Sequence, residues 1–352
     1  MSRAREIADL GSPAASGLSN RNPIINGAMT VDQRNSGSAL TVNSASEFYA
    51  VDRFMGIGVA SDGVYTLQQV TDAPDNFVNS IKATVTTADA SIPSTGRYLI
   101  RHKLEGNTIS QLNLGSSAAQ TFTLSFYVKS SLTGTFGGSI LNGAQDRSYP
   151  FTYTISSANT WERKTVTIAG DTTGTWPTNN TKAMQIGWSL GVGSDYLNTA
   201  GTWVGSQEWG ATGETAVIAT NAATWQMTGV QLEIGTSAAN FDHEDYGVTL
   251  AKCQRYYMQW GPETAGSVFR HFNPAYANDS YCAGTQAFPV EMRAVPTVAY
   301  SAITYQNADS WGTGSSDRNQ VLTYSMSTSA TVISGAYIAN NGTDYAYANA
   351  EL

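Results

Sequence analysis

Phe122–Val128 reads FTLSFYV, with Phe122, Leu124, Phe126 and Val128 alternating against Thr123, Ser125 and Tyr127. A period of two puts the four apolar side chains on one face of an extended chain and the polar ones on the other, the pattern of a half-buried β-strand. Similar runs recur outward from it at Val64–Val70, Ser80–Val85, Tyr98–Leu104, Arg163–Ile168, Ala183–Leu190 and Thr224–Glu233, each flanked by Gly, Asn, Asp or Pro. Short strands at this spacing predict an all-β protein with a sandwich at its centre. Within it, Trp161, Trp188 and Trp225 fall in strands and are expected in the core.

The composition agrees. The 33 Gly, 18 Tyr and abundant Thr and Val favour strands joined by tight turns over long helices. Charged residues make up only 13% of the chain, about half the usual share, so the surface is covered by Ser, Thr, Asn, Gln and Gly. With 27 acidic against 19 basic residues the net charge is −8, so nucleic-acid phosphates and anionic lipid are not expected partners. No stretch of 18 apolar residues occurs, and Met1–Leu10 lacks the apolar core of a signal peptide. Neither membrane insertion nor Sec export is therefore expected. Cys253 and Cys282 have no CxxC spacing and no companion His pair, which leaves a zinc site unsupported. Two buried thiols or one disulfide are the alternatives.

A length of 352 residues exceeds the usual single core, which predicts two domains and a smaller element. Residues 1–21 are read as a short helical anchor and linker: Ile7 and Leu10 share a helical face, Gly11 is a stop signal, and the run Gly11–Gly17 is flexible. Ten residues do not stay helical alone in water, so the stripe makes sense docked on a partner, against the plainer reading of a frayed end. Residues 22–245 form the first β domain. Leu250, Cys253, Tyr256 and Tyr257 recur at helical spacing, predicting a linking helix over 246–260. Residues 261–352 are expected to form a smaller β-sandwich, with strands near Thr297–Tyr305, Gln320–Ser325, Ala330–Ile338 and Asp344–Ala350.

The segment Gly191–Thr220 breaks the strand rhythm, and loops of that length are usually functional or interface-forming. Its Trp203 and Trp209, like Trp176 nearby, could stack an indole face on a sugar ring, or could be buried against a neighbouring subunit. In the last domain Tyr305, Asn307, Trp311, Tyr345 and Tyr347 combine aromatics with amides, which suits neutral glycans as well as ordinary strand packing. Asp72, Asp75 and Asn76 could offer oxygen ligands to calcium, but an Asx-rich turn is the first reading, and no cofactor is expected. Asp242–Asp245 (DHED) is the densest ionisable cluster. Neighbouring residues diverge, however, and glycoside hydrolysis needs two carboxylates facing each other across a groove. His102, His243 and His271 have no Gly-x-Ser-x-Gly elbow or phosphate loop beside them. No catalytic residue is assigned, and the chain is read as non-enzymatic.

The runs NPIINGAM (Asn22–Met29), VDQRNSG (Val31–Gly37), AVDRF (Ala50–Phe54), SFYVKSS (Ser125–Ser131) and WQMTGVQLEIGTSAANFDHEDYGVTLAKCQRYY (Trp225–Tyr257) together resemble a widespread bacteriophage β-domain. That domain occurs in tail fibres and other virion appendages, and its fold is similar to carbohydrate-binding jelly rolls. FPVEMRAVPTV (Phe288–Val298) resembles a strand and turn common after CQRYY in the same proteins. RAREIADLGS (Arg3–Ser12) is similar to the N-terminal segment of tail proteins from phages of aquatic bacteria, including cyanophages. The resemblance implies a virion protein assembled in the host cytoplasm, commonly a homotrimer, that attaches to the tail through Arg3, Arg5, Ile7 and Leu10. Host-glycan contact fits that role, and the residue types and positions read above make Trp203, Trp209, Tyr305, Trp311 and Tyr345 the candidates for it. A capsid decoration protein is the alternative, and a glycan-cleaving tailspike the less favoured one.

Overall fold

The computed structural model describes residues 22–59, 62–260, 266–270, 281–300, 304–306, 310–326, 337–340 and 346–352. The proposed anchor residues Arg3, Arg5, Ile7 and Leu10 lie outside the described residues, as do Tyr345, His271 and Asn307. The chain forms two compact units that divide between Tyr246 and Gly247.

The strands of the first unit are β1 (Leu40–Val42), β2 (Phe48–Val51), β3 (Phe54–Val59), β4 (Val64–Val70), β5 (Ser80–Thr87), β6 (Arg97–Glu105), β7 (Phe122–Ser130) and β8 (Gly134–Asn142). They continue with β9 (Ser148–Ile155), β10 (Glu162–Ile168), β11 (Lys182–Val192), β12 (Leu197–Asn198), β13 (Gly210–Ala211) and β14 (Thr224–Ile234). A single helical turn, α1 (Gly106–Ile109), follows β6. Two six-stranded sheets result, in the orders β1-β4-β5-β14-β7-β10 and β2-β3-β6-β11-β8-β9. Every pairing within them is antiparallel.

The alternation that opens the sequence reading orients β7: Phe122, Leu124, Phe126 and Val128 are all fully buried between the sheets. From the second sheet Phe136, Ile140, Ile186 and Trp188 meet them. Phe126 sets its ring edge-on to Trp188 at 5.8 Å and to Tyr153 at 5.1 Å. Burying each of these aromatic side chains contributes on the order of 1.5–3 kcal/mol. The polar tips are satisfied across the sandwich: Trp225 Nε1 donates to the Tyr153 hydroxyl at 3.0 Å, and the Tyr65 hydroxyl donates to Leu99 O at 2.8 Å. Trp188 and Trp225 are core residues as read from sequence, but Trp161 is not. It precedes β10 at a half-buried position, where Lys129 lies 5.0 Å above its ring and Asp72 accepts its Nε1–H at 3.3 Å.

The runs that carry the phage resemblance meet in space as a buried polar network. Asn26, at φ 61°, donates from Nδ2 to Val31 O and Asp52 O and accepts at Oδ1 from the amides of Thr30 and Val31. The Asp52 carboxylate accepts from Gln33 N at 2.7 Å and Arg34 Nη1 at 2.9 Å. Asn22 ties this loop to β14 by donating to Val230 O at 3.1 Å and accepting from Leu232 N at 3.1 Å. A Cβ on Gly27 would sit 2.2 Å from Val230 O, so only glycine lets the loop approach that closely. The FDHED stretch packs onto the outer face of the first sheet. There Phe241 and His243 each lie 5.0 Å from Phe77, and Asp242 N donates to Gln231 Oε1 at 2.8 Å.

The second unit opens with helix α2 (Tyr246–Gln254), in which Cys253 is fully buried. The helix is shorter than the periodicity predicts, because Tyr257–Trp260 (β15) pairs with Ala346–Asn349 (β23) instead. Tyr, Met and Trp there favour the extended, half-buried surface over another helical turn. The remaining strands are β16 (Gly266–Arg270), β17 (Tyr281–Ala287), β18 (Thr297–Tyr300), β19 (Thr304–Gln306), β20 (Ser310–Ser316), β21 (Gln320–Met326) and β22 (Tyr337–Asn340). They make three three-stranded antiparallel sheets, β15-β23-β18, β16-β22-β19 and β17-β21-β20. A small core of Met258, Phe288, Met292, Val321, Ala348 and Ala350 lies among them.

Candidate functional site

Two places in the first unit bring aromatic and polar side chains together. The first is built on the loop before β11. Asp171 is 2% exposed and receives two bonds from Arg147, Nε and Nη2 each at 2.8 Å, as well as the Thr173 amide and hydroxyl. Burial pushes the Asp171 carboxyl up, but these donors outweigh it and hold the group below the usual range. Asn142 Nδ2 adds a bond to Thr175 O at 3.2 Å. The loop so fixed holds Trp176, which is only 9% exposed and packs on the main core, with its Nε1 donating to Thr173 O at 3.2 Å. Trp203 stands edge-on behind Trp176 at 5.6 Å and against Tyr149 at 5.3 Å.

In front of Trp176 lies an open cleft of about 190 Å³ lined by Ile109, Leu114, Trp176 and Pro177 on the apolar side and Ser110, Asn113, Ser116 and Thr178 on the polar side. Its volume falls below the ~300 Å³ at which drug-sized pockets begin, so it has room for one small ring and not an oligomer. Asn113 at φ 51° and Gly115 at φ 79° shape the rim. A Cβ on Gly115 would stand 2.8 Å from Gly174 O and 3.1 Å from the Trp176 ring.

The second place is the outer face of the second sheet. The long segment after β11 does not extend into solvent but folds back across that face as a strap. Its parts are a 3-10 turn (Ser194–Tyr196) and β12 paired in parallel with β13, and it ends at a second turn (Val217–Ala219) whose Val217 and Ile218 are fully buried in the main core. Val204 and Ser148 bond reciprocally at 2.9 and 3.1 Å, and Thr215 N donates to Thr135 O at 2.6 Å. Trp209 packs over Gly187, where a Cβ would meet the indole at 2.9 Å, and the Arg101 guanidinium lies 5.1 Å from its ring centre. Leu99, Leu141 and Val192 complete this small apolar cluster.

The layer under the strap is polar as well as buried. Gln185 Oε1 accepts from Arg101 Nη1 at 3.4 Å and Gln145 Nε2 at 3.2 Å, and Gln207 Nε2 donates to Gln145 Oε1 at 2.5 Å. Burial holds the Arg101 guanidinium and the Lys103 ammonium below their ordinary ranges, against the opposing pull of Glu47. Glu214 accepts from Ser189 Oγ and, at 2.8 Å, from Ala211 N. It is half-buried as a residue, but its carboxyl is enclosed by Gly137 and Gly210, and burial pushes its pKa up to about 7. Among the described residues, Arg101 Nε, Ser139 Oγ, Gln185 Nε2, Glu208 Oε2 and Trp209 Nε1 have no hydrogen-bond partner. Each such buried atom costs about 1–3 kcal/mol.

The site residues read from sequence are distributed unevenly. Trp209 is fully buried and cannot stack on a ligand in this arrangement, because side-chain-free Gly187 leaves a slot that the indole fills. Trp203 is half-buried, with its Nε1 donating to Ala169 O at 2.7 Å, and it supports Trp176. Tyr305 stands opposite Ile338 in β19 and Trp311 opposite Ser325 in β20, so they belong to different sheets. In place of a calcium ligand, Asp72 is the partner of Lys129, whose hydrogen bond is the largest of the effects holding its carboxyl low. Among the described residues no group of three or more His, Cys, Asp or Glu is arranged to hold a metal.

These features define a β-sandwich domain of two six-stranded antiparallel sheets with an aromatic-floored cleft, joined in sequence to a second, smaller β unit. No family model and no curated protein sequence matches the chain. Among solved structures it is similar to the enzymatically active domain of tailspike protein 4 from bacteriophage CBA120, with 14% identity and a TM-score of 0.32 over 61% of this chain and 22% of that one. It is similar to a CBM4 structure, with 16% identity and a TM-score of 0.29 over 60% of this chain and 99% of that one. It is also similar to a family 11 carbohydrate-binding module from Clostridium thermocellum in complex with a mixed-linked tetrasaccharide, with 11% identity and a TM-score of 0.29 over 58% and 100% of the two chains. Likeness at this level leaves function to be argued from the chain's own residues.

Proposed function

We propose that this chain is a non-catalytic appendage protein of a phage particle whose first unit recognises a neutral sugar of the host surface. The observation that carries the recognition step is the Trp176 cleft. An indole and aliphatic walls face three hydroxyls and an amide within about 190 Å³. That lining matches a sugar ring, which offers an apolar C–H face and a hydroxyl rim. Uncharged lining residues favour an uncharged ligand. The virion attribution is supported by the resemblance of the runs Asn22–Gly37 and Trp225–Tyr257, which meet where the Asn22 side chain bonds to the backbone of Val230 and Leu232.

Binding of the full chain to a panel of host surface glycans, compared with Trp176→Ala, tests the recognition step. The wild type is expected to bind at least one neutral glycan and the variant to lose more than tenfold in affinity. Equal binding by both refutes the cleft as the site. Prolonged incubation with the bound polysaccharide is expected to release no oligosaccharide. Immunogold labelling of particles and mass photometry of the free protein test the tail location and trimeric assembly that belong to this reading.

A further inference from the structure

We infer that the outer face of the second sheet is a second sugar-binding site, occupied here by the chain's own Trp209, and that the strap carrying this indole is a displaceable lid. The inference extends the reading of the chain as a sugar-recognition protein, at a place other than the Trp176 cleft. It starts from the register of the sheet. Arg101, Gly187 and Ser139 lie directly opposite one another across β6, β11 and β8, and Gln185 shares their face two residues along β11. At the centre of this row the missing Gly187 side chain leaves a flat slot, and the Trp209 ring lies in it.

The strap fills the slot but is a poor partner for its walls. Arg101 Nε, Ser139 Oγ and Gln185 Nε2 on the sheet, with Glu208 Oε2 and Trp209 Nε1 on the strap, are enclosed and unpartnered. Ser139, Gln185 and Trp209 have essentially no exposed surface. The bonds Arg101 does make in this layer, to Gln185 Oε1 and Glu47 Oε1, are both long at 3.4 Å. Enclosed donors are normally paired, so this face is suited to something other than an indole. A flat ring carrying hydroxyls meets the requirement: it occupies the slot, accepts from Arg101 and Gln185, and exchanges a bond with Ser139. Glu47 pairs with both Arg101, at 3.4 Å, and Lys103, at 2.6 Å.

Displacement of the strap has to break a defined set of contacts. The strap is held by backbone bonds at Ser94, Gly96, Ser148, Pro150 and Thr135, by bonds of the Ser148 side chain with Ser206 O and Glu208 N, by side-chain bonds of Gln207 with Gln145 and of Trp203 with Ala169 O, and by the seating of Trp209. Glu214, on the strap with its carboxyl between Gly137 of the sheet and Gly210 of the strap, bonds to the sheet through Ser189 Oγ and within the strap to the Ala211 amide. The charged groups facing this layer are Arg97, Arg101, Lys103, Lys182, Glu47, Glu208 and Glu214.

Saturation-transfer NMR on the full-length chain, with glucose, galactose, mannose and N-acetylglucosamine as probes, is run on wild type, Trp176→Ala, and Trp176→Ala with Trp209→Gly. The double variant is expected to bind at least one probe ten times more tightly than Trp176→Ala alone, and adding Gln185→Leu is expected to abolish the gain. No gain in the double variant overturns the proposal. If wild type binds and Trp176→Ala does not, that outcome leaves the cleft reading standing. A gain in the double variant when wild type binds nothing supports the lid and removes the cleft. Hydrogen exchange on wild type guards against a variant that fails to fold. The amides of Trp209, Thr212 and Thr215 are expected to exchange at least tenfold faster than those of Ile186 and Trp188 and independently of low urea. Exchange of the strap only with global unfolding overturns the lid.

Discussion

Glu214→Gln gives the most direct test of the electrostatics beneath the strap. In the folded chain the carboxyl titrates at about 7 against an ordinary 4.5, because enclosure penalises its charged form more than Ser189 and Ala211 stabilise it. A folded pKa above the unfolded one means that the native state holds the proton more tightly. The associated stability is complete below pH 4.5 and is lost as the pH rises to 7. The shift of about 2.5 units corresponds to roughly 3 kcal/mol, reduced to about 2 kcal/mol for the partial exposure of the side chain. Glutamine keeps the geometry: its Oε1 can accept from Ala211 N–H while its Nε2 donates to Ser189 Oγ, and it does not ionise. Urea denaturation of both proteins between pH 4.5 and 8 should therefore show near-equal stability at pH 4.5 and the variant ahead by about 2 kcal/mol above pH 7. Other titrating groups cancel in the difference. Parallel profiles, within about 0.5 kcal/mol at every pH, would refute an enclosed, proton-binding Glu214.

Asp171→Ala should lower the urea midpoint of the first unit by an amount equivalent to about 2–3 kcal/mol, the low end for breaking a buried pair, since the Arg147 side chain is 20% exposed. As the Asp171 carboxyl is held low, wild type keeps this contribution above pH 4 and loses it as the pH falls through the folded value, so the two proteins should converge in acid. Asn26→Ala removes five hydrogen bonds and leaves the carbonyls of Val31 and Asp52 without that donor, a cost of about 3 kcal/mol measurable by thermal or urea unfolding. A loss under 1 kcal/mol would mean that the network around the resembled runs is not structural.

The strands that show in the sequence are those with one apolar face. Val64–Val70 is read with its observed bounds, and Arg163–Ile168 and Thr224–Glu233 fall within a residue of theirs. Much of the second sheet did not show. Gly134–Asn142 (GTFGGSILN) looks like a turn, yet it is a buried strand in which Gly137 must be bare: a Cβ there would stand 1.6 Å from the Glu214 carboxylate. Ser148–Ile155 contains Pro150, which is tolerated because β9 is the last strand of its sheet. Trp161 has a strand neighbourhood but lies at the end of β10, and no periodicity distinguishes a tryptophan there from one at the centre.

The same division holds for the site. That Gly191–Thr220 would be special, and that its tryptophans would matter, was legible because a long polar segment cannot supply its own core. That Trp209 would be buried and Trp176 would floor the cleft was not, because burial is decided by what lies opposite. For Trp209 that is Gly187, 22 residues earlier in the chain and on another element. For Trp176 it is the Asp171–Arg147 pair, which fixes the loop, and the rim from Ser110 to Ser116. Local alternation and turn chemistry specify strands, since they depend on neighbours in the chain. Which face is covered, and which polar groups are left to bind something else, is settled only when distant strands come into register.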